Sequence, residues 1–153
     1  IINGVLVSSS SIRKLINDGA VDAAAEMLGR DFSLSGKVVR GHGVGKKIGI
    51  PTANIEPVSH EKIIPRHGVY AGWIISENMR RDAIISLGPR LTFGDMVESI
   101  EVHVPDFHGD LYEKNVKIGF SKRIRDMLKF NSKEDLIIQI KKDIELMIHL
   151  IPL

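Results

Sequence analysis

Ser99-Ile100-Glu101-Val102-His103-Val104 alternates without a break. Ile100, Val102 and Val104 fall on one side and Glu101 and His103 on the other, the period-two pattern of a strand with one buried face. Similar segments lie on both sides. Val69-Tyr70-Ala71-Gly72-Trp73-Ile74-Ile75 is β-branched and aromatic, and Ala83-Ile84-Ile85-Ser86-Leu87 follows it. Gly36-Lys37-Val38-Val39-Arg40 and the stretch from Leu111 to Phe120 supply two more. Glycine and proline punctuate the intervals. Five or six short strands at this spacing predict a mainly β fold, either a small barrel or a sandwich.

The two ends read differently. Ser8 to Ser11 offers N-caps for a helix carrying Ile12, Leu15 and Ile16, with Gly19 as its stop. Ala20 to Leu28 forms a second short helix closed by Gly29. Both apolar faces are small, so this pair is expected to fray or to pack on another molecule. At the C-terminus Ser132 caps a helix with Asp135 three residues on. Leu136, Ile137, Ile140, Ile144, Met147 and Ile148 form its stripe, which reads as a helix laid on the β core with no chemical role.

At 153 residues the chain is one domain, or one domain with a fragment of another. It has no cysteine, which excludes disulfides, thiolate zinc and thiol nucleophiles and suits a reducing cytoplasm. No apolar run approaches the ~20 residues needed to span a bilayer, so no membrane role is expected. The net charge of +2 and an aromatic content of 5% leave neither a basic face nor a stacking platform for nucleic acid. Basic residues cluster locally instead, at Lys46-Lys47, Arg80-Arg81 and Lys122-Arg123 with Arg125. Arg80-Arg81 reads as solvated surface charge.

Gly41-His42-Gly43-Val44-Gly45-Lys46-Lys47-Ile48-Gly49 precedes Pro51-Thr52-Ala53-Asn54. The run matches neither a Walker A loop nor the dinucleotide fingerprint in spacing. It is either a cradle of backbone N–H groups for phosphates or a tight turn. Thr52 and Asn54 lie two apart and project to one side in an extended segment. A hydroxyl and an amide carbonyl there suit a hard cation such as magnesium together with polyphosphate oxygens. Glu101 is either a solvated carboxylate on an outer strand face or the base that a kinase needs to accept an alcohol proton. Asp106-Phe107-His108-Gly109-Asp110-Leu111-Tyr112 reads as a loop entering a strand. Arg125 and Phe130 flank another loop, where they either close over a planar heterocycle or serve as surface charge and helix anchor.

Taken in order, these segments resemble the riboflavin kinase (flavokinase) family. The resemblance rests on Gly36 to Gly41, Gly45 to Asn54, Gly68 to Ala71, Gly88 to Phe93, Glu101 to Val104 and Asp106 to Tyr112. Arg123-Ile124-Arg125, Lys129-Phe130, Ser132, Gln139-Ile140 and Asp143 complete it. It implies a six-stranded antiparallel Greek-key barrel with a C-terminal helix. It implies ATP- and magnesium-dependent phosphorylation of the riboflavin ribityl 5′-hydroxyl, giving FMN and ADP. Thr52 and Asn54 match the positions that bind magnesium with the nucleotide, and Gly41 and Lys46 match nucleotide-loop positions. Glu101 matches the catalytic base. Val104, Asp106 and Tyr112 fall where the family contacts the nucleotide, and Arg125 and Phe130 where it closes over the flavin. The sequence departs from the family at Ser86, Leu91 and Glu113, the last standing where a glycine is expected.

Residues 1–30 carry a second resemblance. Val7 to Arg13, Gly19 and Leu28-Gly29-Arg30 are similar to the end of the FMN adenylyltransferase domain of bifunctional bacterial FAD synthetases. This implies a helical remnant over 1–30, a kinase domain over 31–153, and an adenylyltransferase domain, linked or separate, as partner. FMN adenylyltransferase activity is not expected from this chain alone. The rival expectation is a non-catalytic flavin- or nucleotide-binding module.

Overall fold

The computed structural model describes residues 9–40, 52–59, 63–77, 79–92 and 95–150. Two helices, α1 (Ser9–Asn17) and α2 (Val21–Leu28), lead into strands β1 (Phe32–Val39), β2 (Ala53–Pro57), β3 (Gly68–Ser76), β4 (Met79–Thr92), β5 (Asp95–His103) and β6 (Asn115–Arg125). A third helix, α3 (Lys133–Leu150), ends the described chain. The strands close into a barrel in the order β1-β2-β5-β4-β3-β6, antiparallel throughout. Within it β3, β4 and β5 follow one another and β6 returns beside β3, which is the Greek-key arrangement.

Alternation decides which side chains fill the barrel. Val38, Ile55, Tyr70, Ile74, Ile85, Leu87, Ile100, Val102, Ile118 and Phe120 point inward and form one buried cluster. Tyr70 meets Phe120 edge-on at 5.3 Å between ring centroids. Closure depends on the β3–β6 seam. Its register shifts twice, so Ser121 and Ile124 are extra residues in β6. Gly72 and Gly119 sit at this seam, where a Cβ on Gly119 would come within 2.0 Å of the Trp73 ring. Trp73 therefore lies flat on bare backbone, its Nε1 donating to Asp31 at 2.9 Å. Ser121 donates to the same carboxylate at 2.8 Å.

Most strands run past the ends their alternation suggested, although β6 begins at Asn115 rather than at Leu111. β1 starts at Phe32, where three consecutive residues are buried and the period-two signal is lost. β4 takes in Arg80, Arg81 and Asp82, and β6 takes in Lys122 to Arg125, because the neighbouring strands supply hydrogen-bond partners for these polar stretches. Arg80 and Arg81 are not simply solvated. Their guanidinium carbons lie 4.9 Å from the Trp73 ring centre and 5.8 Å from that of Phe107.

The N-terminal helices pack on the barrel, contrary to the expectation drawn from their small faces. Ile16, Val21 and Ala24 are buried in the same cluster as Phe32 and Phe120. Burying Ile16 and Val21 contributes roughly 1.5–3 kcal/mol each. Gly29, at φ 76°, ends α2 in the left-handed cap that glycine permits. Lys122 pairs with Asp22 across the junction.

Helix α3 starts as expected, with the Asp135 amide donating to Ser132 Oγ at 3.1 Å. Its buried line is rotated from the expected one. Asp143 and Met147 are its buried residues, whereas Ile148 is 65% exposed. Met147 and Ile144 cover Val69, Ala71 and Ile84 on the outside of the barrel, forming a second small core with Ile124.

Candidate functional site

One row of cross-strand neighbours connects three of the expected site residues, Asn54, Glu101 and Arg125. Val39 faces Asn54, Asn54 faces Glu101, Glu101 faces Ser86, Ser86 faces Val69 and Val69 faces Arg125. Register partners share a sheet face. Since Val38, Ile55, Val102, Ile85 and Tyr70 face the interior, this row faces outward. Asn54 and Glu101 are both half-buried. As direct partners, their Cβ atoms lie roughly 4.5–5.5 Å apart. Thr52 lies one residue before β2 and is exposed. Glu101 thus stands beside the amide of the expected metal pair. From Glu101 to Arg125 the row crosses three strand spacings, on the order of 14 Å.

Small residues floor this stretch. Ser86 and Ser99 are half-buried beside Glu101, and Gly88 pairs with Ser99. Met127, just past β6, covers Gly88, its Cε lying 3.1 Å from where a Cβ would stand. The departure Ser86 is therefore the direct neighbour of the candidate base.

The loop between β5 and β6 is built from two turns. The Phe107 amide donates to the Val104 carbonyl at 3.3 Å, enclosing Pro105 and Asp106. The Lys114 amide donates to the Leu111 carbonyl at 3.0 Å, enclosing Tyr112 and Glu113. Asp106 and Glu113 occupy the third turn position with φ of 58° and 66°, the region that a type II turn demands there. Glu113 thus adopts the conformation of the glycine it replaces, at a cost of about 1–2 kcal/mol. Val104 is buried, Asp106 exposed, and Tyr112 lies under Arg40 at 4.9 Å. Arg81 Nη2 donates to the Pro105 carbonyl at 3.2 Å and holds the first turn from the barrel side. Arg40 and Arg81 had no place among the expected site residues; an arginine next to a strand end carries no local signal of its stacking partner.

At the far end of the row Arg125 is held rather than loose. Its Nε and Nη2 donate to the Asp143 carboxylate at 3.0 and 2.8 Å, and Nη1 donates to the Asp126 carbonyl at 3.1 Å. The guanidinium lies 6.0 Å from the Phe130 ring centre. The expected arginine and aromatic therefore do come together. Nearby, Arg123 donates to Asp126 and holds that carboxyl below its usual range through hydrogen bond and charge. Burial raises the Tyr70 hydroxyl above its ordinary value, with Arg123 opposing. Gly41 and Lys46 lie outside the described residues.

Among the described residues no group of three or more His, Asp or Glu side chains could hold a metal ion. Neutral oxygens from Thr52 and Asn54 fit magnesium only if most other positions are filled by phosphate and water.

The riboflavin kinase family model (Flavokinase) matches residues 28–151. The chain belongs to the riboflavin kinase family. It is 38% identical over 138 residues to a bifunctional riboflavin kinase/FMN adenylyltransferase of Listeria monocytogenes, covering 90% of this chain and 44% of that protein. The crystal structure of riboflavin kinase from Trypanosoma brucei superposes with a TM-score of 0.53 at 27% identity, covering 75% of this chain and 73% of that one. A Streptococcus pneumoniae structure described as a macrolide-efflux protein superposes with a TM-score of 0.89 at 35% identity, covering 95% of this chain and 47% of that one. The chain spans about half the length of its bifunctional relatives. The efflux description belongs to that other protein. Among the described residues of this riboflavin kinase barrel, no helix is long and apolar enough to cross a membrane.

Proposed function

We propose that the chain transfers the terminal phosphoryl group of ATP to the ribityl 5′-hydroxyl of riboflavin, giving FMN and ADP, with magnesium. One observation carries the reading: the register sets Glu101 against Asn54 on the outer face of a barrel whose family phosphorylates riboflavin. Asn54 and Thr52 would hold the magnesium–nucleotide, and the ion would supply charge neutralisation at the phosphate oxygens. Glu101 orients the ribityl hydroxyl and accepts its proton as the oxygen attacks phosphorus. Lys46 and the Gly41 loop would steady the phosphates, with Val104, Asp106 and Tyr112 alongside the nucleotide. Arg125 and Phe130 would receive the flavin. Little covalent work falls to the protein in such a transfer, so positioning and charge carry most of the acceleration.

In this reading residues 1–30 end an adenylyltransferase-like unit, and the barrel works beside such a domain in a reducing cytoplasm. Incubation with riboflavin, ATP and magnesium, followed by chromatography, tests it. FMN that forms only with the metal supports the reading. Bound riboflavin with no FMN replaces it with a non-catalytic binding module.

A further inference from the structure

We propose that Asp143 of α3 is a positioning residue for the flavin, acting through Arg125. This rests on the reading of Arg125 and Phe130 as flavin contacts. Asp143 is 2% exposed, although carboxylates are almost never fully buried without a partner. Its partner is Arg125, gripped through two nitrogens, while Gln139 one helical turn earlier donates to Asp143 Oδ1 at 3.0 Å. The carboxylate is thus held from its own helix and holds the arginine from the other side. The Asp126 carbonyl takes a third direction of the same guanidinium.

These bonds fix the plane of the guanidinium, and with it the start of the segment that carries Met127 and Phe130. Arg125 is separated from Glu101 along the row by Ser86 and the helix-covered Val69, so its orientation acts through the segment it starts, whose Met127 lies over Gly88, the strand partner of Ser99 beside Glu101. Met147 and Ile144 seat α3 on Val69 and Ile84, and Val69 is the strand neighbour of Arg125. The helix therefore locks the arginine to the sheet. A preset planar cation beside an aromatic ring needs no ordering when a flat heterocycle arrives, which favours binding.

The test is Asp143→Asn, which keeps shape and removes charge, read by riboflavin fluorescence titration and by steady-state kinetics. The expected result is a rise of about tenfold in riboflavin Kd and KM, the size of one lost charge-assisted hydrogen bond. The ATP KM should stay within about twofold, since the nucleotide side of the row is untouched. In an Arg125→Ala background, Asp143→Asn should add no further loss, because an effect transmitted through Arg125 vanishes with it. Additive losses, or equal rises for both substrates, overturn the proposal and leave Asp143 a general stabiliser. Should Asp143→Asn not fold, Gln139→Ala loosens the same carboxylate while keeping the ion pair. It should raise riboflavin Kd about twofold to threefold, and an unchanged value also overturns the proposal. If the wild type binds riboflavin without making FMN, the kinase reading fails while the Kd comparison still decides the role of Asp143.

Discussion

Two stretches of the same outer barrel surface have opposite fates. Under α3, Val69, Ala71 and Ile84 are apolar and covered by Met147 and Ile144. Further along β4 and on β5 and β2, Ser86, Ser99, Glu101 and Asn54 are polar and half-buried, and among the described residues none of them belongs to the core under α3. The backbone is the same and the pairing is continuous across both. The difference lies in which outward side chains the alternation delivers. Apolar outward residues on β3 and at Ile84 of β4 recruit a helix, and polar ones from Ser86 of β4 through β5 to β2 supply groups for chemistry. Arg125 and Asp143 lie across the covered Val69 from Ser86, a charge pair at the other edge of the covered patch.

The comparison breaks most sharply at Glu101. Glu101→Gln should cut turnover by about 10²–10⁴-fold while riboflavin still binds. Wild-type rates would return Glu101 to the role of an outward strand carboxylate. On the covered side Met147→Ala should cost roughly 2–5 kcal/mol in denaturant unfolding, as large-to-small core changes do. A loss below about 0.5 kcal/mol, the size of a surface substitution, would show that α3 is not needed to seal that face. On the polar side Asn54→Ala should raise the ATP KM about tenfold and shift the magnesium requirement upward, with little change in stability. An unchanged magnesium titration would remove Asn54 from the metal site. The interior is probed by pH. The Tyr70 hydroxyl, raised by burial, favours the folded state below its unfolded value of 10.0. That contribution is lost as pH climbs through the raised value, so stability should fall in alkali above pH 10. A Tyr70→Phe protein with the same alkaline decline would place the cause elsewhere.

The barrel was legible wherever one strand face met the core. The Ile100, Val102, Val104 alternation gave the orientation of Glu101 correctly, because burial enforces it. Strand ends were not legible. Lys122 to Arg125 looks like a loop until β3 is placed beside it, and the two bulges on that seam have no local signature. The roles of Thr52 and Asn54 rested on their spacing and on the resemblance, and only the β2–β5 pairing brings Asn54 to Glu101. Asp143 counts toward the family resemblance, yet its burial against Arg125 was not read from the sequence, for a clear reason. Between Lys142 and Glu145 it looks solvated, yet it lies three residues after Ile140 and four before Met147, on the buried line itself. A charge on that line signals a partner across the interface, and Arg125 was the candidate already at hand.

The single tryptophan gives the molecule a built-in optical gauge. Trp73 lies against the bare backbone of Gly119 on the seam that closes the barrel, with Arg80 above its ring and Asp31 on its nitrogen. Any parting of β3 from β6 must change what surrounds that indole, while Glu101 lies two strands from β3. Its emission therefore follows barrel opening.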